Sequence, residues 1–380
     1  MTDWLDWPFF EDEQRRLARE LGEWSGQNLV HSHGKDVDAE CRTIVVMLGR
    51  NDFLEHCVAR GGQRPSVRNL AVARATLAYQ SGLADFTFAM QGLGSGAISL
   101  FGTAQQREAW LPRVGRGQAI AAFALTEPDT GSDAARIATS AVREGDEWVL
   151  NGEKSFISNG TIADVLTIFA RTGSAEEGAR GLSAFVLPMA TPGIEIAERI
   201  ETIAPHPLAR LKLDNVRLPA SALLGEEGRG FAIAMQTLNL FRVTVGAAAL
   251  GFARRALDEA IAFTKGRPLG DAMLADHPVT QARLAEMALS VDGSALLIAR
   301  AAYEQDKAPE ADHRRAAAMA KLHATEEAQK VIDAAVQLHG GLGVTKGSKV
   351  EELYREIRAL RIYEGASEVQ RQIIGKDLVK

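Results

Sequence analysis

Apolar residues recur with a helical period in the first and last thirds of the chain. Near the start, Leu17 and Leu21 stand four positions apart in a charged segment, and residues 71–79 are rich in alanine. From residue 230 onward, apolar positions repeat every three, four or seven residues, which predicts one buried face of a long helix. That face comprises Leu238, Val245, Ala249, Phe252, Ala256 and Phe263. Further helices are predicted over residues 105–112, 280–306 and 311–339, and then near residues 350 and 366, with Gly340-Gly341 suited to a helix C-terminus.

Between residues 119 and 224 the pattern changes to short β-branched and aromatic runs separated by Gly, Pro, Asn and Asp. Strands are predicted at residues 147–150, 165–170, 182–187 and 211–218. The pair Asn151-Gly152 predicts a hairpin turn, because both residue types accept a positive φ. Since strands do not alternate with helices here, an antiparallel sheet is expected.

The order of these regions predicts a multidomain α+β fold. A chain of 380 residues is too long for one ordinary hydrophobic core, so two or three domains are expected. We predict an N-terminal helical domain at residues 1–120, a middle antiparallel β domain at 121–224 and a C-terminal helical bundle at 225–380.

Composition and charge narrow the possible functions. Apolar residues make up 46% of the chain and charged residues 24%, as in soluble globular proteins. The net charge of -6 argues against a nucleic-acid-binding surface, which is normally basic. No apolar run reaches the roughly 18 residues that span a bilayer, and the acidic start lacks a signal-peptide layout. The only cysteines, Cys41 and Cys57, form no disulfide framework, so a reduced, cytoplasmic location is expected.

Two short patterns suggest a dinucleotide-binding motif and a metal site, but neither interpretation is supported by the surrounding sequence. The glycines between Gly92 and Ala97 invite a dinucleotide-binding interpretation, but the surrounding pattern is helical and the spacing does not fit. A tight turn between helices is the preferred interpretation. His31 and His33 have no third ligand nearby, so no metal site is predicted.

Four segments carry the candidate chemistry, and each has an ordinary structural alternative. Residues 123–133 (FALTEPDTGSD) are a strand and turn in which backbone N–H groups and hydroxyls suit a planar polar ring and an anion. Residues 154–160 (KSFISNG) read as a second strand, and residues 337–343 (QLHGGLG) as a helix end. In Tyr363-Glu364-Gly365 a carboxylate stands beside a glycine that permits close approach of a ligand. Flanking apolar side chains can raise its pKa toward that of a working base, although such a run alone is usually a solvated loop.

In this order, the four segments resemble the acyl-CoA dehydrogenase family across nearly the whole chain. The resemblance implies a C-terminal four-helix bundle, FAD as cofactor, an acyl-CoA substrate, electron-transfer flavoprotein as partner and a homotetramer built as a dimer of dimers. It implies Glu364 as the catalytic base that removes the substrate α-proton. The residues it implies for FAD are Phe123, Leu125, Thr126, Gly131, Ser132, Phe156, Ser158, Arg267, Gln337, Gly340, Gly341, Ala366 and Glu368. Those it implies for the substrate are Ser132, Asn239, Arg242 and Gly365.

Several positions depart from the family pattern. In one branch the base comes from the long helix, at the position of Phe241 here, which cannot take a proton. Arg242 lies on the apolar face of that helix, where an unpaired Arg is costly. An ion pair is the structural alternative to a place near the CoA chain. Three further residues differ where relatives contact FAD: Leu269, Pro278 and Ala366.

The sequence therefore predicts an FAD-dependent acyl-CoA dehydrogenase that oxidises an acyl-CoA to the 2-enoyl-CoA and passes electrons to electron-transfer flavoprotein. The alternatives are an acyl-CoA oxidase, another flavin-dependent enzyme that modifies acyl-CoA on the same scaffold, or a non-catalytic CoA-binding homologue. No membrane or nucleic-acid partner is expected.

Overall fold

The structure, a computed structural model, describes residues 4–29 and 36–380. His31 and His33 lie outside the described residues. In chain order the helices are α1 (Asp12–Asn28), α2 (Val37–Arg50), α3 (Val67–Gln80), α4 (Gly82–Phe101), α5 (Ala104–Gly115), α6 (Gly230–Gly266), α7 (Pro278–Lys307), α8 (Arg314–His339), α9 (Lys349–Leu360) and α10 (Ser367–Leu378). The strands are β1 (Ala121–Ala124), β2 (Ser140–Glu144), β3 (Glu147–Ser158), β4 (Val165–Arg171), β5 (Leu182–Pro188), β6 (Ile194–Arg199), β7 (Leu208–Pro219), β8 (Leu223–Leu224), β9 (Pro268–Leu269) and β10 (Ala272–Met273).

These elements confirm the predicted fold class, with helices on either side of a β region in the sequence. The described chain divides into two compact units. The helical unit contains residues 4–29, 66–85 and 239–380, and the sheet unit contains residues 36–65 and 86–238.

In the helical unit, α8 packs against α7, α9 and α10, and α3 packs against α1 and α7. Two glycines of α6 allow its neighbours to come close. A Cβ at Gly251 would lie 2.3 Å from the Ala75 carbonyl oxygen of α3, and one at Gly246 would lie 3.2 Å from the Ala320 oxygen of α8. Larger residues at these positions would push the helices apart, so the two glycines set the packing around α6.

The predicted apolar face of α6 is mostly buried. Val245, Ala249, Phe252 and Ala256 are at most 1% exposed. By length and composition α6 is also long and apolar enough to cross a membrane, but 78% of its most apolar window is buried inside the protein. Such burial is typical of the core helix of a soluble protein.

In the sheet unit, one eight-stranded sheet has the order β6-β7-β3-β2-β4-β5-β8, with β1 also paired to β4. Pairing is antiparallel except that β1 runs parallel to β4, and β2 meets β4 in parallel at a single register position. Apolar side chains of the inner strands form the core, in which Trp148 and Phe185 pack edge to face with centroids 5.4 Å apart.

The hairpin prediction at Asn151-Gly152 is wrong. Strand β3 continues through this pair, and the register against β7 shifts between Leu150 and Gly152, which marks a β-bulge. A Cβ at Gly152 would lie 2.7 Å from the Thr139 Cα, so only glycine fits. The turn between β2 and β3 lies instead at Gly145, whose φ is +62°.

The predicted turn at Gly92–Ala97 is also wrong, because these residues lie inside α4. The glycines serve packing within the sheet unit. A Cβ at Gly94 would come within 2.6 Å of the Ala121 and Ala122 backbone of β1. The Thr167 hydroxyl of β4 donates to the Gly94 carbonyl at 2.8 Å, so the helix lies directly against these two strands.

Candidate active site

Glu364 lies in the short loop between α9 and α10. Its backbone has a φ of +52°, the left-handed conformation that residues other than glycine rarely adopt, and Gly365 follows with +88°. The loop is closed by backbone hydrogen bonds from Tyr363 N–H to the Ala359 oxygen and from Ser367 N–H to the Arg361 oxygen. The surrounding structure must hold Glu364 in this conformation, a kind of strain that is common at functional sites.

The Glu364 carboxylate is buried, and its oxygens are available to accept a proton. Both of its oxygens are shielded from solvent, and neither accepts a hydrogen bond from any residue that the structure describes. Burial raises the pKa of this carboxyl group, while the nearby cations Arg74, Lys321 and Arg242 oppose the rise. A carboxylate with a raised pKa and free oxygens has the properties of a general base.

Lys321 of α8 holds the backbone on both sides of Glu364. Its ammonium group donates to the Tyr363 carbonyl at 2.8 Å and to the Gly365 carbonyl at 2.5 Å. Lys321 is only 1% exposed, and burial lowers the pKa of its ammonium group. The amide of Gln370 adds a second donor to the Gly365 carbonyl at 2.7 Å.

Five residues further along α8, Glu326 holds the two ends of the same loop. Its carboxylate accepts two hydrogen bonds of 2.9 Å from Arg361 and one of 2.5 Å from the Ser367 hydroxyl. Burial alone would raise the pKa of Glu326, but Ser367 and Arg361 outweigh it and the pKa is lowered. Helix α8 therefore anchors the loop at its centre and at both ends.

A buried ion pair lies in the same unit. Arg74 of α3 donates two hydrogen bonds of 2.8 Å to Asp85 and one of 3.1 Å to the Thr244 hydroxyl. The two charged side chains are 2% and 3% exposed. Arg74 is the cation that lowers the pKa of Glu364 most, whereas Asp85 raises it.

Arg242 is 4% exposed, and its closest polar partner is the Asn239 side-chain oxygen one turn earlier on α6. Its Nε is buried and has no hydrogen-bond partner among residues 4–29 and 36–380. Desolvation lowers the pKa of the guanidinium, and the charge of Glu364 opposes this. The structure thus gives Arg242 a neutral neighbour rather than the ion pair considered from the sequence. Phe241 is fully buried and offers no proton acceptor.

The sheet unit holds the other predicted segments. The Ser155 N–H donates to the Thr126 carbonyl at 2.9 Å. The buried Lys154 donates to the Leu125 carbonyl at 3.2 Å and to Glu127 at 2.8 Å. Burial lowers the pKa of Lys154 to about 8 despite that carboxylate. The segment after β1 and the bulged part of β3 are therefore joined.

Phe156 is the most unusual residue of these segments. It has a φ of +54° and is 60% exposed, at a register shift of β3 between Lys154 and Ile157. An exposed aromatic ring held by strained backbone is a candidate surface for a flat ligand. Ser158 is half-buried in β3, while Gly131 and Ser132 are exposed in the turn after Thr126. Phe123 is half-buried against Phe169, with ring centroids 4.8 Å apart.

A half-open cleft of about 600 Å³ lies in the helical unit between the end of α6 and the end of α8. Its lining includes Arg267, Leu269, Gly340 and Gly341. The predicted helix stop is confirmed at Gly340, which has a φ of +59°. Of the residues of the helical unit that were predicted for the cofactor, three are not part of this lining: Gln337, Ala366 and Glu368.

Lys321, Arg74 and Lys154 were not predicted from the sequence. A signal for Lys321 exists, because it lies on the apolar period of α8 with Ala317, Ala324 and Ala328, all of which are buried. A charge on such a face is expected to have a specific partner. The described residues contain no group of three or more His, Cys, Asp or Glu side chains that could hold a metal ion.

Comparison with known proteins gives consistent matches along the chain. Three family profiles match: "Acyl-CoA dehydrogenase, N-terminal domain" at residues 11–118, "middle domain" at 122–216 and "C-terminal domain" at 228–379. The 3-(aryl)acrylate reductase of Clostridium sporogenes is 34% identical over 98% of this chain and 100% of its own length. The human mitochondrial short-chain specific acyl-CoA dehydrogenase is 41% identical over 75% of this chain and 69% of its own length. Among solved structures, a chain described under the electron transferring flavoprotein of Acidaminococcus fermentans is 30% identical with a TM-score of 0.88, covering 100% of this chain and 99% of that one.

Proposed function

The chain belongs to the acyl-CoA dehydrogenase family, and we propose that it oxidises the Cα–Cβ bond of an acyl-CoA thioester with Glu364 as base and FAD as cofactor. Family membership makes it an oxidoreductase that acts on CH–CH bonds. The observation that carries the proposal is the state of the Glu364 carboxylate, which is buried and not hydrogen-bonded to any residue that the structure describes.

Glu364 would remove the proton from the carbon next to the thioester carbonyl. Because burial raises its pKa, the carboxylate is a stronger base than an exposed one, and the nearby cations Arg74, Lys321 and Arg242 favour its ionised form. Its oxygens need to break no hydrogen bond to a described residue before they take the proton. We assign the substrate to Ser132, Asn239, Arg242 and Gly365, each with hydrogen-bonding or charged groups suited to a CoA thioester.

The residues of this chain fit FAD. In the sheet unit the exposed ring of Phe156 offers a flat apolar surface, and Thr130 Oγ1 is buried without a hydrogen-bond partner among the described residues. In the helical unit the cleft at Arg267 combines a cation with exposed glycine backbone, a chemistry that suits a pyrophosphate. When bound, FAD supplies the hydride acceptor for the substrate β-carbon. The residues that we assign to it are Phe123, Leu125, Thr126, Gly131, Ser132, Phe156, Ser158, Arg267, Gln337, Gly340, Gly341, Ala366 and Glu368.

The assembly and partners follow from the family. We propose three domains at residues 1–120, 121–224 and 225–380, a homotetramer built as a dimer of dimers, a cytoplasmic location and electron-transfer flavoprotein as the electron acceptor. The structural similarity to the chain described under that flavoprotein's name supports the last proposal. Exposed apolar side chains on the helical unit support association, among them Leu269, Val279 and Leu342.

A second candidate is the reverse reaction, reduction of a 2-enoyl thioester. It is favoured by the Clostridium sporogenes relative, a reductase that aligns over nearly the whole of this chain. In that direction Glu364 would return a proton to the α-carbon, because the same group serves as base and acid in opposite directions.

The test is anaerobic mixing of the flavin-loaded protein with a panel of acyl-CoA thioesters of short, medium, branched and cyclic chains. Bleaching of the yellow flavin would demonstrate oxidation, and slow recovery in air would distinguish a dehydrogenase from an oxidase. Reoxidation of the bleached flavin by 2-enoyl-CoA reports on the reverse reaction.

The decisive variant is Glu364→Gln. It should keep flavin and bind acyl-CoA but reduce the flavin at least about 10³-fold more slowly, a barrier increase of about 4 kcal/mol. Glu304→Gln is the matched control, because Glu304 is 46% exposed on α7 and meets Arg300 at 3.8 Å. The assignment of the base is wrong if Glu364→Gln retains more than a tenth of the wild-type rate.

A further inference from the structure

We propose that Lys321 is a positioning residue for the base, holding the left-handed backbone of Glu364 and so fixing where its carboxylate points. The proposal rests on the function proposed above and adds a residue to which that function had assigned no role.

The geometry of the ammonium group is the first argument. One donor atom binds the carbonyl before Glu364 and the carbonyl after it, at 2.8 Å and 2.5 Å. The Tyr363 carbonyl belongs to the peptide group directly before the Glu364 Cα, and the Gly365 carbonyl belongs to the peptide group after Gly365, so the two contacts fix the peptide groups at both ends of the Glu364–Gly365 pair. The direction of the Cα–Cβ bond, and with it the carboxylate, then follows from the backbone.

The strain in the loop is the second argument. Glu364 and Gly365 both have a positive φ, at +52° and +88°, and Glu364 is not a glycine. Such a conformation persists only where surrounding contacts over-determine it. The hydrogen bonds from Lys321 hold the peptide groups that immediately precede and follow these two strained residues.

The position of Lys321 is the third argument. A lysine that is 1% exposed on the alanine-rich face of α8 would be replaced by an apolar residue if packing alone mattered. The ends of the loop are already held by Glu326 through Arg361 and Ser367. Loss of Lys321 should therefore loosen the centre of the loop without detaching it.

Lys321 also contributes charge. The charged and titratable groups that act on Glu364 or Lys321 in the helical unit are Arg74, Asp85, Arg242, Glu326 and each other. Lys321 lowers the pKa of Glu364, so an uncharged residue in its place should raise that pKa further. The acid limb of the pH–rate profile should then move to higher pH.

The experiment compares Lys321→Met, Lys321→Gln and Lys321→Arg with Lys330→Met, a control on the same helix whose side chain is 70% exposed. Flavin reduction is measured with the acyl-CoA that reduces the wild-type flavin fastest, as a function of pH and substrate concentration. Hydrogen exchange of residues 361–367 is followed by mass spectrometry on the same flavin-loaded proteins.

We expect Lys321→Met and Lys321→Gln to lower kcat at least tenfold with little change in KM, because a small misplacement of the base slows the chemical step. Their acid limb should move upward, and exchange should be faster in the loop centre. Lys321→Arg keeps a cation with several donors and should keep the acid limb and recover part of kcat. Lys330→Met should match wild type.

The results separate two failures. Suppose that the wild-type flavin is reduced normally and that Lys321→Met and Lys321→Gln both keep the wild-type kcat and the wild-type acid limb. Lys321 then has no positioning role. A fall in kcat that Lys321→Arg does not relieve, with an unmoved acid limb, also overturns the proposal in favour of a purely structural role. If no thioester of the panel reduces the flavin of the wild-type protein, the proposed function itself is wrong. If only one of the two uncharged variants folds, that variant decides the matter.

Discussion

The pair of Arg74 and Asp85 allows a sharp prediction about the buried charges of the helical unit. Arg74→Met removes two hydrogen bonds of 2.8 Å to a carboxylate that is 3% exposed, and one bond to the Thr244 hydroxyl. Breaking one side of a buried ion pair typically costs about 3–5 kcal/mol, because the other charge stays buried. That is a large fraction of the ~5–15 kcal/mol by which most domains are stable.

The same change has a chemical consequence. Since Arg74 is the strongest of the cations that lower the pKa of Glu364, Arg74→Met should raise that pKa and move the acid limb of flavin reduction upward. Asp85 acts in the opposite direction, so Asp85→Leu should move the limb downward. In the double variant the limb should lie between those of the two single variants.

The measurements are urea unfolding at fixed protein and FAD concentrations, and the pH–rate profile of flavin reduction. Arg300→Met is the control, because Arg300 is 42% exposed and meets Glu304 only at 3.8 Å. Such a surface pair contributes about 0–1 kcal/mol. The double variant Arg74→Met with Asp85→Leu should recover much of the lost stability, since apolar replacement of both partners is often neutral.

A loss of less than about 1 kcal/mol in Arg74→Met, within the range of a surface pair, would show that this ion pair does not behave as a buried one. Simple addition of the two single losses in the double variant would show the same, because residues in direct contact should show a coupling energy. An unchanged acid limb in Arg74→Met would show that the charge of Arg74 does not govern the pKa of Glu364, whatever the change in stability.

Two further predictions concern the cofactor and the assembly. Arg267→Ala should purify with markedly less flavin and regain it with added FAD, because Arg267 lines the cleft at the end of α6 and a charge-assisted contact is about twice as strong as a neutral one; a full complement of tightly bound flavin would show that Arg267 is not a cofactor residue. Light scattering should give the mass of four chains of 40.9 kDa for the flavin-loaded protein, and a flavin-loaded monomer would refute the tetramer.

The fold was largely predictable because its helices and strands follow from the local periodicity of apolar residues along the chain. The apolar repeat of α6 and the glycine stop of α8 are local patterns, and the structure contains both. The pair Asn151-Gly152 misled because the Asn215 N–H donates to the Asn151 side chain at 2.7 Å, a contact between β7 and β3 that stabilises a bulge instead of a turn. The glycines around Gly94 led to a wrong prediction of a turn for a similar reason. Gly94 is required because β1 approaches α4 closely there, and the chain does not change direction at this point.

The candidate site was only partly predictable. Glu364 stands in a recognisable motif, but the groups that govern its charge come from α3, α6 and α8, and no local pattern brings them together. Arg74 and Lys321 are 247 positions apart in the sequence yet act on one carboxylate. Pairings of this kind become visible only in three dimensions.

Buried lysines in the two units do the same chemical job. Lys154 donates to the Leu125 carbonyl in the sheet unit, and Lys321 donates to the carbonyls around Glu364 in the helical unit. A buried ammonium group is costly. The Glu127 carboxylate pairs with Lys154 at 2.8 Å and offsets part of that cost, whereas the hydrogen bonds of Lys321 are to neutral carbonyls, so stability alone does not explain Lys321. Lys321 is explained if the position of the backbone segment that it holds matters more than the stability lost. Since both segments belong to the motifs by which the family is recognised, we propose that these two buried cations fix the backbone of the candidate site.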